Sequence, residues 1–122
     1  MEYVEVKPNI VKDKSFGFAL KIIELSTSLK KGNNFEIASQ ILRSGTSIGA
    51  NIEEAQAAQS KKDFVSKLSI SSKEARETKY WLRLIKESKI TTKEVDGLMK
   101  DCDELISLLT KIVKTSSQRI QN

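Results

Sequence analysis

The feature that most restricts how this chain can fold is a row of apolar residues near its C-terminal end: Val95, Leu98, Met99, Cys102, Leu105, Ile106, Leu109, Ile112 and Val113. Steps of three and four put every one of them on a single stripe of an α-helix, where a strand would demand strict alternation. A helix cannot cover its own stripe, so other elements must pack against it. The rest of the chain supplies them in kind.

Val11, Phe18, Ala19, Ile22, Ile23, Ser26 and Leu29 repeat the same spacing and predict a first helix, with Asn9 and Ser15 as alternative N-caps. Lys30-Lys31-Gly32-Asn33-Asn34 ends it, because Gly or Asn can take a left-handed cap and the lysines suit the last carbonyls. A second helix is expected from Phe35, with Ala38, Ile41, Leu42, Gly45, Ile48, Gly49 and Ile52 inward. Ser44-Gly45-Thr46-Ser47 is poor in helix formers. The stripe nevertheless crosses it without losing phase, so the helix is expected to continue. Gly45 and Gly49 would let a neighbour approach closely.

Ser60 is the expected N-cap of a third helix, with Asp63 three residues on as an acidic near-match to a capping box. Its seam is Phe64, Leu68, Ser71, Ala75, Thr78, Leu82 and Ile85, whose small middle residues could face the glycines of the second helix. The fourth helix follows Thr91-Thr92-Lys93-Glu94. Four amphipathic helices with short connections predict an all-α, antiparallel up-down-up-down four-helix bundle. The whole chain, 1–122, is then one domain, with a short arm at 1–9 and a polar tail at 115–122 that is expected to fray. One Pro and five Gly leave little to interrupt long helices.

Composition also narrows the chemistry. There is no His, so imidazole bases, Ser/His and Cys/His pairs and His-containing zinc sites are all missing. The one cysteine, Cys102, cannot form an internal disulfide and lies on the buried stripe, which predicts an inert core thiol and a reducing, cytoplasmic setting. Met1 leads into no basic-then-apolar segment, so no signal peptide is expected, and no run is long enough to span a membrane. Ser44-Gly45-Thr46-Ser47-Ile48-Gly49 lacks the ending of a phosphate loop. Glu53-Glu54 lacks the His partners of a di-iron bundle site. No catalytic residue, metal or cofactor is expected.

Charge is the positive signal. The net charge is +5, and residues 61–90 alone carry nine basic against four acidic groups. On the third helix Lys73, Arg76, Lys79, Arg83 and Lys86 follow one another in steps of three and four along one flank of the seam. Such a flank could track phosphates, with Lys61 and Lys62 in support. Taken alone, the commoner reading of such a flank is a solvated face paired with Glu74, Glu77 and Glu87. Partly opposite the seam stand Ile70, Tyr80, Trp81 and Leu84, a second apolar patch that a bundle helix does not need for its core. It is expected to be a subunit contact, or to pack under the arm, where Tyr3, Val4 and Val6 also need cover.

Arg43-Ser44-Gly45-Thr46-Ser47-Ile48-Gly49-Ala50-Asn51-Ile52-Glu53-Glu54-Ala55-Gln56, with Ser60-Lys61-Lys62-Asp63-Phe64 and Lys73-Glu74-Ala75-Arg76-Glu77-Thr78, resembles the 23S rRNA intervening sequence proteins, also called the S23 ribosomal protein family. The resemblance spans roughly residues 10–113. It implies an up-down bundle assembled into a homopentameric ring. It also implies kinship with the accessory variability determinant of diversity-generating retroelements, a basic pentamer that partners a reverse transcriptase and binds nucleic acid. Arg43, Asn51 and Glu54 on the second helix and Glu74 and Glu77 on the third match family positions, and are expected to form a structural Arg–Glu network fixing helix register. Glu53 departs from the small residue usual there.

Two expectations follow for function. The first is a non-enzymatic, basic, homo-oligomeric nucleic-acid-binding protein, with structured RNA as the expected ligand, contacting phosphates without reading bases. The alternative is a protein–protein scaffold for an enzyme such as a reverse transcriptase, with no direct nucleic-acid role.

Overall fold

A computed structural model describes residues 8–121, with side chains described over 10–119. Among these residues every regular element is an α-helix: α1 (Pro8–Lys31), α2 (Phe35–Gln56), α3 (Lys61–Ser88) and α4 (Asp96–Gln121). Each helix packs on the one before it, α4 closes back on α1, and the diagonal pairs stay apart. Contacts run in opposite directions along each pair, as when Lys12 meets Glu53 and Ser26 meets Ala38. The chain is therefore an up-down-up-down bundle.

The helix ends follow local chemistry. Pro8 opens α1, where its missing N–H costs nothing. Ser15, one of the expected caps, is instead buried inside α1 with its hydroxyl on the Lys12 carbonyl. The expected arm otherwise lies outside the described residues. At the other end Asn33, not Gly32, takes the left-handed conformation (φ 67°). The Asn34 N–H then reaches the Leu29 carbonyl and the Asn33 N–H the Lys30 carbonyl, a Schellman closure. Ser60 caps α3 as expected, its Oγ accepting from Asp63 N–H at 3.0 Å, while an Asp63 carboxylate oxygen accepts from Gln59 N–H. Residues 115–121 do not fray from α4 but continue it, and Ser116 is buried.

The core holds Val11, Phe18, Ile22, Leu25 and Leu29 from α1, with Ile41, Ile48 and Ile52 from α2. Leu68, Leu82 and Ile85 from α3 and Cys102, Leu105, Leu109 and Ile112 from α4 add to it, with Ala38, Ala55, Ala75 and Val95 between them. Each fully buried Leu or Ile contributes roughly 1.5–3 kcal/mol. Ile23 departs from the expected stripe, being 46% exposed.

The glycines of α2 face α1 rather than the small residues of α3. A Cβ on Gly45 would stand 2.8 Å from Ile22 Cγ2 and 2.9 Å from Cγ1, and one on Gly49 would meet Ser15 Oγ at 3.2 Å. The small residues of α3 pair instead with α2 through hydroxyls. Ser71 Oγ donates to the Ile48 carbonyl at 2.8 Å, and Thr78 Oγ1 lies 2.9 Å from Ser44 Oγ. On the far side of α3, Cys102 Sγ donates to the Ala75 carbonyl at 3.2 Å. Burial pushes the Cys102 thiol up to about 12.

Gly45→Ala should therefore destabilise the fold by about 1–3 kcal/mol in urea unfolding, despite the better helix propensity of Ala. Combined with Ile22→Ala, itself a costly truncation of a buried side chain, it should lose less than the sum of the two single losses. Additive losses in the double variant would contradict a direct Gly45–Ile22 contact.

Candidate nucleic-acid interface on α3

Four faces of α3 are distinguishable once the helix is packed. Leu68, Ser71, Ala75, Thr78, Leu82 and Ile85 are buried as the seam. The side next to α2 carries Glu74, Glu77 and Trp81; the side next to α4 carries Lys79 and Lys86; Lys73, Arg76, Tyr80, Arg83 and Leu84 are exposed.

On the α2 side, Arg43 donates to Glu74 Oε1 at 3.2 Å and through its second terminal nitrogen to Glu77. Glu77 Oε2 also accepts the indole N–H of Trp81 at 3.0 Å. This joins three of the five residues of the expected network. Arg43 is half exposed, so the cluster sits at the surface rather than in the core. The other two stand apart from it. Asn51 Nδ2 donates to the Ser47 carbonyl within α2, and Glu54 pairs with Lys67 at 3.7 Å. Glu53 reaches α1, pairing with Lys12 at 3.2 Å.

The expected cationic flank divides in two. Lys79 is held by Asp103 at 2.8 Å and Lys86 by Asp96 at 2.7 Å, both across the α3–α4 seam. Asp96 raises the Lys86 ammonium above its ordinary value, mainly by hydrogen bonding. Arg76 makes only a long contact, 3.4 Å, to Thr110 Oγ1, and Lys73, Arg83 and Lys62 have no hydrogen bond or ion pair among the described residues. Lys73, Arg76 and Arg83 thus present charge to solvent over about 15 Å of helix. Lys61 lies elsewhere, lining a cavity of about 310 Å³ at the end of the bundle with Gln56, Ser60, Phe64, Ser116 and Arg119.

The expected apolar patch is also divided. Ile70 lies about 15 Å along the axis from Tyr80, with Lys73, Glu74 and Glu77 between. Trp81 turns toward α2 and lines a shallow groove with Phe35, Ile37 and Gln40. Tyr80 turns the other way, into a groove of about 280 Å³ with Arg76, Lys79, Arg83, Asp103 and Ile106. Its ring meets the Trp81 ring edge-on at 5.3 Å.

A larger apolar surface lies on α1. Phe16, Leu20 and Ile23 are 67%, 53% and 46% exposed. They recur at steps of four and three, so they form one outward stripe. The spacing is present in the sequence, but the neighbouring core stripe absorbs Ile23 and hides the second row.

These features define an antiparallel four-helix bundle with a basic outer helix. The model of the 23S rRNA-intervening sequence protein family matches residues 7–111. The chain belongs to that family. A crystal structure of a protein with unknown function from the S23 ribosomal protein family of Bacteroides thetaiotaomicron VPI-5482 superposes with a TM-score of 0.83 at 48% identity, covering 88% of this chain and 97% of that one. No curated protein matches the sequence. Among the described residues no helix is long and apolar enough to cross a membrane.

The indole and guanidinium bonds hold the Glu77 carboxyl below the usual glutamate range, the Trp81 bond contributing most. A lowered pKa in the folded state means that this contact adds stability above the unfolded value and loses it as pH falls through the folded one. Trp81 emission should therefore titrate in acid with a midpoint below the usual glutamate value, and Glu77→Gln should remove that step. A midpoint at or above that value would contradict the contact.

Proposed function

We propose that this protein is a non-enzymatic, basic, self-associating nucleic-acid-binding protein of the cytoplasm, acting on structured RNA through the outer face of α3. The observation that carries the reading is the solvent-facing series Lys73, Arg76 and Arg83, which no carboxylate among the described residues pairs, whereas Lys79 and Lys86 are paired. Unpaired cations are the groups that can displace counterions from a phosphate backbone. Lys62 extends the series toward the start of α3. Lys79 and Lys86 act as braces to α4 rather than as phosphate contacts, which narrows the seven lysines and arginines expected from the sequence.

Self-association accompanies this binding. The stripe Phe16, Leu20 and Ile23 on α1 is a subunit contact, with Ile70 and Leu84 on α3 available to a different neighbour. Because α1 and α3 lie on opposite corners of the bundle, two unlike surfaces on opposite sides favour head-to-tail contacts, which close into rings. The homopentamer suggested by the family resemblance is one such ring, and each added copy brings a further +5 of charge.

The same α1 stripe supports the alternative reading, a scaffold that docks on a protein such as a reverse transcriptase. The two readings separate by experiment. Replacing Lys73, Arg76 and Arg83 by Glu should abolish most binding to RNA at low salt and flatten the salt dependence, by about 0.7 to 0.9 in log–log slope for each phosphate no longer neutralised. The same charge change at Lys30, Lys31 and Lys100 should do much less. Equal losses would mean that only net charge matters. In light scattering after size exclusion, Leu20→Glu should reduce the assembly to monomers, whereas an unchanged mass would remove α1 from the interface.

A further inference from the structure

We infer that Tyr80 is a stacking platform for an unpaired base, so that the ligand of the α3 face is a single-stranded nucleic acid or an RNA loop rather than a duplex. The inference rests on the nucleic-acid reading above and names the ligand class of that same surface.

In the linear sequence Tyr80 and Trp81 read together as one apolar patch, which conceals any aromatic platform. The fold turns them into different grooves, although their rings still meet edge-on. Tyr80 is 53% exposed and opens into the α3–α4 groove beside Arg76 and Arg83, four residues before and three after it. Those intervals put both guanidiniums within a turn of the ring on one helix surface. The phenol makes no hydrogen bond among the described residues, so nothing there uses its polar end. The ring is braced from behind: Trp81 meets it edge-on at 5.3 Å, Glu77 holds the Trp81 N–H at 3.0 Å, and Arg43 of α2 holds Glu77. A ring ordered in this way needs little further ordering when a base stacks on it.

The charges around the ring choose among nucleic acids. On the α4 side Asp103 and Asp96 already hold Lys79 and Lys86, so the cations left for backbone phosphates lie along the outer surface of α3. A duplex keeps its bases stacked inside and cannot offer a face to a side chain on a convex helix. A single strand offers both a phosphate to each arginine and a base between them.

The test compares a 20-nucleotide oligo-dT and oligo-U with a 20-base-pair duplex by fluorescence anisotropy, using the whole protein, Tyr80→Ala and Tyr80→Phe. The expected result is a preference for single strands that Tyr80→Ala lowers by about tenfold and Tyr80→Phe retains, with little change toward the duplex. Equal affinity of the wild type and Tyr80→Ala for the single strands, or parallel losses on single strand and duplex, would overturn the stacking role while leaving the cationic reading intact. A wild type that binds neither overturns both. Sizing of Tyr80→Ala decides the remaining competitor: an altered assembly makes Tyr80 a subunit contact and overturns the platform, whereas an unchanged one supports it.

Discussion

The close seating of α2 between its two neighbours is the constraint on which the other features depend. Against α1, the absence of a side chain at Gly45 lets Ile22 come within 2.8 Å of where a Cβ would stand. Against α3, the Ser71 hydroxyl bonds a backbone carbonyl of α2 and Thr78 meets Ser44. Apolar packing tolerates small slips along a helix, but a buried hydroxyl that loses its acceptor costs about 1–3 kcal/mol. The hydroxyls therefore set the register of α3 on α2, and that register decides which residues of α3 face outward.

The surface of α3 follows from this placement. With Ser71 and Thr78 facing α2, Glu74 and Glu77 come within reach of Arg43, and Trp81 is drawn toward α2 by its bond to Glu77. The opposite edge comes against α4, where Asp96 and Asp103 neutralise two lysines. The outward face then includes Lys73, Arg76, Tyr80 and Arg83 on neighbouring turns, with Ile70 and Leu84 also exposed. An evenly spaced basic helix has thus become an anchored edge and an exposed one. The exposed edge carries the proposed function, and the anchored edge keeps it in place.

Much of this is legible in the sequence, and the parts that are not have physical reasons. Stripe periodicity locates all four helices and the continuity of α2 through its weak Ser-Gly-Thr-Ser segment, and the Ser60–Asp63 spacing locates the cap of α3. It cannot say which neighbour the α2 glycines meet, because a stripe shows that a face is buried but not by what. The five evenly spaced cations of α3 are visible, yet the pairing of Lys79 and Lys86 depends on where Asp103 and Asp96 of α4 fall in the antiparallel register. The exposed stripe of α1 is hidden by adjacency, since Ile23 sits beside the core residue Ile22 and merges with its pattern. The tail after Thr115 looks polar enough to fray, but the bundle is long enough to bury Ser116.

If nucleic acid meets this protein on the outer strip of α3 and not elsewhere, a measurement in which every helix reports at once will show it most directly. Chemical-shift mapping of the isotopically labelled assembly during titration with an oligo-U strand is that measurement. Perturbations should concentrate at Lys73, Arg76, Tyr80 and Arg83, with the α1 stripe around Leu20 unchanged. Perturbations centred on α1, or spread evenly over all exposed lysines, would contradict binding at this strip.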